Sequence, residues 1–538
     1  VVYQIYPLSF KDSNGDGKGD LAGIIEKVDY LKNLGVNAVW ICPFYRSPMT
    51  DFGYDIEDYT DIDPVFGDLK IFERLVHELH KRDIKLIIDF VGNHTAMSHK
   101  WFVESRASRT NVKRDWYIWR DPAANDGPPN NWLSVFGGPA WEFDKNSGQY
   151  YLHTFLKEQP DLNWHNPEVR AAMMSVIDFW VERGVDGFRV DALQHFLEDE
   201  RLRDESSNPF YKKETDEAYK SLVHRFSLGL DSDTTSTRNK KSRVNIIGTF
   251  LNEIFDKYKD LFIVGEVYVG LDELMKVYDL CPGGRFMPFN FNLLDLPWGA
   301  LDYKKIIDEY QSKLSKSKSS RLANYCFGNH DVSRLASRVG EAKARLVAFL
   351  QHTLPGMPFI YYGDEIGMTN GAIPPHAIKD FLAKMFPGFH PGRDLERTPM
   401  QWNDGEKAGF TTSEPWLPVS TNREVTNVKH ESEDPQSILS LYKKLILLRK
   451  NFTTLRIGDY IPRHSTSPLV LSFERHHGDE QLLVLINFSN SVEREILPSH
   501  GPHDKETKII FSTGTHSPLY QNSKFIELLP YEGCIIKL

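Results

Sequence analysis

Three acidic residues end or follow short apolar runs at widely separated points of the chain: Asp191 in GFRVDA, Glu266 in FIVGEV and Asp331 in CFGNHD. Each alone could be a helix N-cap, a position that suits Asp. Three together, with Arg and His beside them, point to chemistry instead. Arg189 lies two residues before Asp191, so in an extended strand both side chains leave the same face, and the guanidinium keeps the carboxylate ionised as a nucleophile needs. Glu266 follows Ile263, Val264 and Gly265, a low-polarity setting that raises its pKa and keeps a proton for a leaving oxygen. One carboxylate kept charged and another kept protonated are the apparatus for cleaving a glycosidic bond. His330 and Asp331, adjacent in sequence, can hold sugar hydroxyls through charge-assisted hydrogen bonds.

Such groups work only if the fold gathers them on one rim. Eight β-branched or aromatic runs recur: Val1–Pro7, Ala38–Pro43, Lys85–Val91, Asp186–Ala192, Leu261–Val267, Phe286–Phe291, Ala323–Asn329 and Pro358–Gly363. Most are followed by apolar residues at helical spacing, in Leu21–Leu34, Lys70–Arg82, Pro167–Arg183, Ile246–Tyr258 and Ala342–Thr353. This alternation predicts an α/β fold, a (β/α)₈ barrel whose catalytic residues sit at the C-terminal ends of its strands. The barrel is expected over 1–94 and 165–455. Residues 95–164, rich in Trp, Asn, Gly and Pro, read as a subdomain inserted after the third strand, over the barrel mouth. A further insertion is expected at about 365–425. After the helix Pro435–Arg449 the pattern becomes alternating, in Leu469–Phe473, Leu482–Asn487, Lys508–Phe511, Lys524–Leu529 and Gly533–Leu538, which predicts a C-terminal antiparallel β-sandwich domain over 456–538. Lys313–Ser320 is a short basic polar stretch at a helix end or loop.

Composition removes several alternatives. A formal net charge of -10 argues against nucleic-acid binding. No apolar run reaches membrane-span length. Cys42, Cys281, Cys326 and Cys534 are scattered, without the spacing of a zinc site or a disulfide framework, which fits a cytoplasmic protein. His77 and His80 in HELH lack the spacing of a helical zinc pair. Sequons occur at Asn93, Asn451 and Asn487, the first inside the expected site.

The segment DSNGDGKGD, after the first strand, places Asp12, Asn14, Asp16 and Asp20 at positions 1, 3, 5 and 9 of an EF-hand-like loop, with the Lys18 carbonyl at 7. Structural Ca²⁺ is expected here, although Gly23 stands where the loop would have Glu. A metal-free network of Asx turns is the alternative. GKGDLA formally matches a dinucleotide fingerprint, but the carboxylates around it would repel a pyrophosphate.

The segments YQIYPLSF, DFGYDIEDY, LIIDFVGNHT, QPDLN, GFRVDA, GEVY, FGNHD, YYGDEIGM and RTPMQW together resemble the α-amylase superfamily, glycoside hydrolase family 13, and within it the α-glucosidase and oligo-1,6-glucosidase group. The resemblance covers nearly the whole chain. It implies Asp191 as nucleophile, Glu266 as acid/base and Asp331 as the residue gripping the distorted sugar ring. It also places Asp51, Tyr54, His94, Arg189, His330 and either Arg397 (favoured) or Arg393 around a terminal glucose, with Asp89 and Asn93 in support, and calcium in the acidic loop. QPDLN at Gln159–Asn163 resembles exo-acting members, and Ala192 resembles those preferring α-1,4 bonds. The expected function is a retaining exo-α-glucosidase acting on maltose, short maltooligosaccharides or sucrose, as a monomer or homodimer. The alternatives are a glucosyl transferase or isomerase on the same scaffold, and a non-catalytic domain like those of amino-acid-transporter heavy chains, whose catalytic set is typically eroded.

Overall fold

A computed structural model describes residues 1–199, 201–204, 240–281, 283–316, 322–387, 391–498, 508–514 and 524–538. Lys313–Ser315 close the helix Ala300–Ser315, and residues 317–320 of the basic stretch lie outside the described residues.

Eight strands form the central sheet: β1 (Val2–Ile5), β2 (Ala38–Ile41), β3 (Lys85–Val91), β4 (Gly187–Asp191), β5 (Phe262–Gly265), β6 (Phe286–Pro288), β7 (Asn324–Tyr325) and β8 (Met357–Tyr361). They lie in the order β6-β5-β4-β3-β2-β1-β8-β7, with every ladder parallel. The N–H of Cys326, just after β7, reaches Asn290 O, just after β6, at 3.3 Å, bringing the two ends of the sheet together. The eight strands fall within the eight predicted runs, apart from one residue at the start of β8. Parallel strands covered by helices are buried on both faces, which is why they read as continuous apolar runs rather than alternating ones.

The helices follow the predicted stripes with one break. Leu21–Leu34 divides into Leu21–Glu26 and Val28–Leu34 at Lys27, which lets Val28, Leu31 and Leu34 reach the core. Leu271–Tyr278 and Ala300–Ser315 are helices that the sequence reading had not identified. Between β3 and the helix Pro167–Val181 lies a three-stranded antiparallel sheet, Trp119–Arg120, Gln149–Leu152 and Trp141–Asp144, with a small core of Ile118, Trp132, Ala140, Trp141 and Leu152.

Toward the C-terminus lie β9 (Asp459–Pro462), β10 (Val470–His477), β11 (Glu480–Asn487), β12 (Glu493–Ile496), β13 (Lys508–Ser512), β14 (Phe525–Leu528) and β15 (Gly533–Lys537). An antiparallel sheet runs β9-β10-β11-β15-β13, and β12 pairs with β14. Alternation along the strands serves two cores. Leu471, Phe473, Leu482, Val484 and Ile486 join the barrel core, whereas Val470, Leu483 and Leu485 pack with Leu497, Ile526 and Leu528. Strands β9 and β12 fall outside the predicted runs, because their residues are largely polar or solvent-facing.

Two buried arginines with no carboxylate partner among the described residues tie this region to the barrel. Arg475 of β10 donates to Thr353 O at 2.6 Å, Leu455 O at 3.0 Å and Gly458 O at 2.7 Å. Arg449 donates to His352 O and Leu354 O, both at 2.9 Å, and to Leu455 O at 2.7 Å. Most of these carbonyls are at or near helix C-termini, which have no intrahelical donor. Burial pulls Arg475 down to about 9 and Arg449 to about 10. Arg475→Met removes this donor from the carbonyls of Thr353 and Gly458, while Leu455 O keeps Arg449, and should cost about 3 kcal/mol. Calorimetry should show a melting temperature lowered by a few degrees, and an unchanged one would refute the clamp.

Candidate active site

The centre of the site is set by sheet register. Asp89 on β3 stands directly across from Arg189 on β4, and Arg189 across from Val264 on β5. Neighbouring strands are about 5 Å apart, so side chains on one face at matched register meet. Arg189 Nη1 lies 2.6 Å from both Asp89 and Asp191, and Nη2 lies 2.8 Å from Glu266. Trp40 Nε1 donates to the other Asp89 oxygen at 2.7 Å, and Ala192 N–H donates to Glu266 at 3.0 Å. Ala192 is able to do so because the chain turns left-handed there, with φ 48°.

This geometry corrects one expectation. Arg189 is shared by both carboxylates and does not favour Asp191 alone. Burial, against the pull of Arg189, raises Asp191 to about 7, and burial together with the charge of Asp191 raises Glu266 to about 7. Asp89 rises to about 6, again by burial. Three buried carboxylates around one guanidinium carry excess negative charge, so Asp191 and Glu266 share a proton near neutrality. The sequence could not show this because it does not reveal that Glu266 reaches the same arginine.

Asp331, after β7, has the opposite setting. Arg397 Nη2 is 2.7 Å and Arg393 Nη1 3.4 Å from its Oδ1, and His330 Nε2 is 3.1 Å from Oδ2. Burial opposes its charge, but His330, Arg397 and Arg393 outweigh burial and hold Asp331 well below the usual carboxylate range. Burial also holds His330 well below its own range, so the arginines are the permanent cations here. Both candidate arginines are therefore at the site. Arg397 is fully buried and also donates to His330 O at 2.8 Å, whereas Arg393 joins Asp331 to Asp51 at 2.8 Å and to Asp380 at 2.7 Å.

The remaining predicted residues converge on the same mouth. His330 Nδ1 lies 2.8 Å from Gln4 Nε2, and its Nε2 lies 2.7 Å from the Tyr54 hydroxyl. His94 Nε2 is 3.1 Å from Tyr54 O and from Gln159 Nε2, and Gln159 also reaches Asp51 at 3.2 Å. Burial lowers His94 to about 4, so it is neutral. Asn93 donates to Asp161 at 3.0 Å, which ties β3 to QPDLN. Sequence reasoning missed Gln4, Trp40, Gln159 and Asp380 as individual site residues. Gln4 and Trp40 are polar atoms inside apolar strands, which is a usable signal; Asp380 carries none.

The acidic loop is ordered by its own backbone. Asp12 accepts from the N–H groups of Asn14 at 3.0 Å, Gly15 at 2.7 Å and Gly17 at 2.9 Å. Asn14 accepts from Asp16 N–H and Asp16 from Lys18 N–H, both at 2.8 Å. Asp20 instead caps the helix Leu21–Glu26 through Gly23 N–H and engages both oxygens with Ser13. Among the described residues no three His, Cys, Asp or Glu side chains group as a metal site. The oxygens of Asp12, Asn14 and Asp16 retain lone pairs of the hard type that calcium takes. The donor chemistry fits the ion in part, without Asp20.

His80 of the HELH segment pairs with Asp186 at 2.7 Å. All four cysteines are free and buried. Asn487 donates to Ser491 O at 2.7 Å and Leu529 O at 2.8 Å, so its buried amide is engaged inside the protein. Among the described residues no helix is long and apolar enough to cross a membrane.

The model of the α-amylase catalytic domain matches residues 4–458. The chain is 39% identical to an oligo-1,6-glucosidase of Parageobacillus thermoglucosidasius, covering 100% of this chain and 98% of that one. It is 38% identical to an α-glucosidase of Culex pipiens, over 91% of this chain and 81% of that one. Among solved structures it resembles an α-glucosyl transfer enzyme (TM-score 0.88, 35% identity, covering 100% and 98% of the two chains). It also resembles isomaltulose synthase from Erwinia rhapontici NX5 (TM-score 0.87, 34% identity, 100% and 98%).

The shared proton has a consequence for stability. Asp191 and Glu266 move from 3.8 and 4.5 in the unfolded chain up to about 7 in the fold. A raised carboxylate contributes stability that is present below the unfolded pKa and lost as pH rises through the folded one. Asp191→Asn removes one of the crowded charges, so its melting temperature should match the wild type near pH 4 and exceed it by several degrees at pH 8. A difference that does not grow between these pH values would refute the crowding.

Proposed function

The chain belongs to the α-amylase catalytic-domain family, and on that premise we propose that it is a retaining, exo-acting α-glucosidase taking terminal α-linked glucose from short sugars. The observation that supports this most is the joint grip of Arg189 on Asp191 and Glu266 at the ends of adjacent parallel strands. Two carboxyl groups close enough to share one guanidinium suit the double-displacement route, in which no room is needed for a water between them. Asp191 attacks the anomeric carbon while Glu266, carrying the shared proton, delivers it to the departing glycosidic oxygen. Glu266 then takes a proton from water as that water displaces Asp191. Ala192 N–H and Arg189 Nη2 keep Glu266 aimed through both steps. Asp331, held ionised by Arg397 and Arg393, accepts from ring hydroxyls and favours the positive transition state.

Exo action is supported by the contacts of Asp51 with Gln159 and Arg393 and of Gln159 with His94, which join the segments around the site. Ala192 favours α-1,4 bonds, whereas relatives named for α-1,6 cleavage favour the other linkage. A second reading, glucosyl transfer or isomerisation, draws support from the named activities of the structural neighbours. Asp12, Asn14, Asp16 and the Lys18 carbonyl would hold a structural calcium ion, supplying cross-linking of the loop and no catalytic step. The four buried thiols suit the reducing cytoplasm.

Asp191→Asn and Glu266→Gln should each lower hydrolysis of maltose by about 1,000-fold or more while the far-UV spectrum stays unchanged. Product analysis of maltose, isomaltose, sucrose, trehalose and starch should show α-glucose as the first product, maltose preferred to isomaltose, and starch nearly inert. A first product of β configuration would reject retention, and an isomerised disaccharide from sucrose would favour the second reading. For calcium, metal analysis after dialysis should find about one ion per chain, and chelator should lower the melting temperature. No metal and no shift would leave the Asx-turn network as the whole account of the loop.

A further inference from the structure

The segment at 410–416 lies between the acidic loop and the arginine that holds Asp331. Trp416 donates from its backbone N–H to Gly17 O at 2.9 Å and from its indole Nε1 to Ser9 Oγ at 3.0 Å. Ser9 is fully buried and donates its hydroxyl to the carbonyl of Arg397. The Trp416 ring stacks on Tyr6, with centroids 6.2 Å apart and planes at 25°, and leans on Phe52 at 5.7 Å. Both of those rings meet the Arg397 guanidinium, Tyr6 at 5.1 Å and Phe52 at 5.9 Å. The same guanidinium is 2.7 Å from Asp331.

Phe52 follows Asp51 directly and has a left-handed backbone, φ 51°. A bulky residue stays in that region only where its surroundings over-determine it. Trp416 and Arg397 packed on its ring provide that constraint. One indole thus bears on Arg397 through two aromatic rings and one hydroxyl.

We infer that Trp416 is a positioning residue that fixes the Arg397–Asp331 pair and couples it to the conformation of the loop Asp12–Asp20. The inference rests on the reading of Asp331 as the residue gripping the glucose. Gly17 gives access to the coupling from its far end. It has φ 88°, and a Cβ there would lie 2.0 Å from Glu414 O, so Gly17→Ala must displace the chain leading into Trp416.

The test measures kcat, KM and melting temperature of the full chain on maltose for Trp416→Ala, Trp416→Phe, Gly17→Ala, Arg397→Lys and the double variant Trp416→Ala/Arg397→Lys. Trp416→Ala and Gly17→Ala should each lower kcat/KM about tenfold. Trp416→Phe keeps a ring over Tyr6 and should lose only about two- to threefold. In the Arg397→Lys background, Trp416→Ala should cost less than about twofold more, because the interaction it supports is already gone. A merely structural tryptophan would lower the melting temperature and give additive losses. Additive losses, or a Trp416→Ala enzyme within about twofold of wild type, overturn the inference. Should Trp416→Ala fail to fold, Trp416→Phe completes the same cycle. A wild type inert on every α-glucoside overturns the glucosidase reading and this inference with it. An active wild type indifferent to Trp416 overturns the inference alone.

Discussion

One buried guanidinium, that of Arg189, is the contact on which the site and the middle of the barrel both depend. It is nearly inaccessible, at 1% exposure, and bonds Asp89, Asp191 and Glu266 from three adjacent strands. A buried cation needs partners, and three buried carboxylates need more positive charge than one cation supplies. The imbalance is relieved by protons, which places the titration of Asp191 and Glu266 near neutrality. Charge balance in the barrel core and the proton supply that the proposed acid catalysis needs are therefore one arrangement.

Across the mouth, Asp331 has the reverse balance, with two guanidinium groups on one carboxylate. The site is thus electrostatically asymmetric, with Asp191 and Glu266 raised toward neutrality on one side and Asp331 held ionised on the other. In the proposed mechanism the proton-rich side protonates the leaving oxygen, and the ionised side faces the positive charge that develops on the sugar ring.

Strands β3, β4 and β5 bring up the carboxylates that Arg189 gathers, and the segments after β2, β3 and β8 meet over them. Asp51, Gln159 and Arg393 come from these three segments and bond to one another over the mouth. A rigid parallel sheet leaves little freedom for specificity, and long connections at the C-terminal ends of strands provide it. The aromatic packing of Tyr6, Phe52 and Trp416 joins two of these segments to β1.

Local sequence carries the eight strands, the placing of Asp191, Glu266 and Asp331 at or beyond strand ends, and the C-terminal change to alternating strands. These are local properties: apolar runs of strand length, period-two alternation, and a charged residue ending a buried run. Asp51, Tyr54 and His94 were legible only through motif resemblance, because a loop residue carries no local mark of its partners. The register that sets Asp89 beside Arg189, and the reach of Arg189 to Glu266, were decided by the tertiary structure. So was the role of Asp20 as a helix cap. Protonation follows from the sum of charges within a few ångströms and from burial. Residues 77 positions apart in the chain, such as Arg189 and Glu266, become neighbours only when parallel strands align.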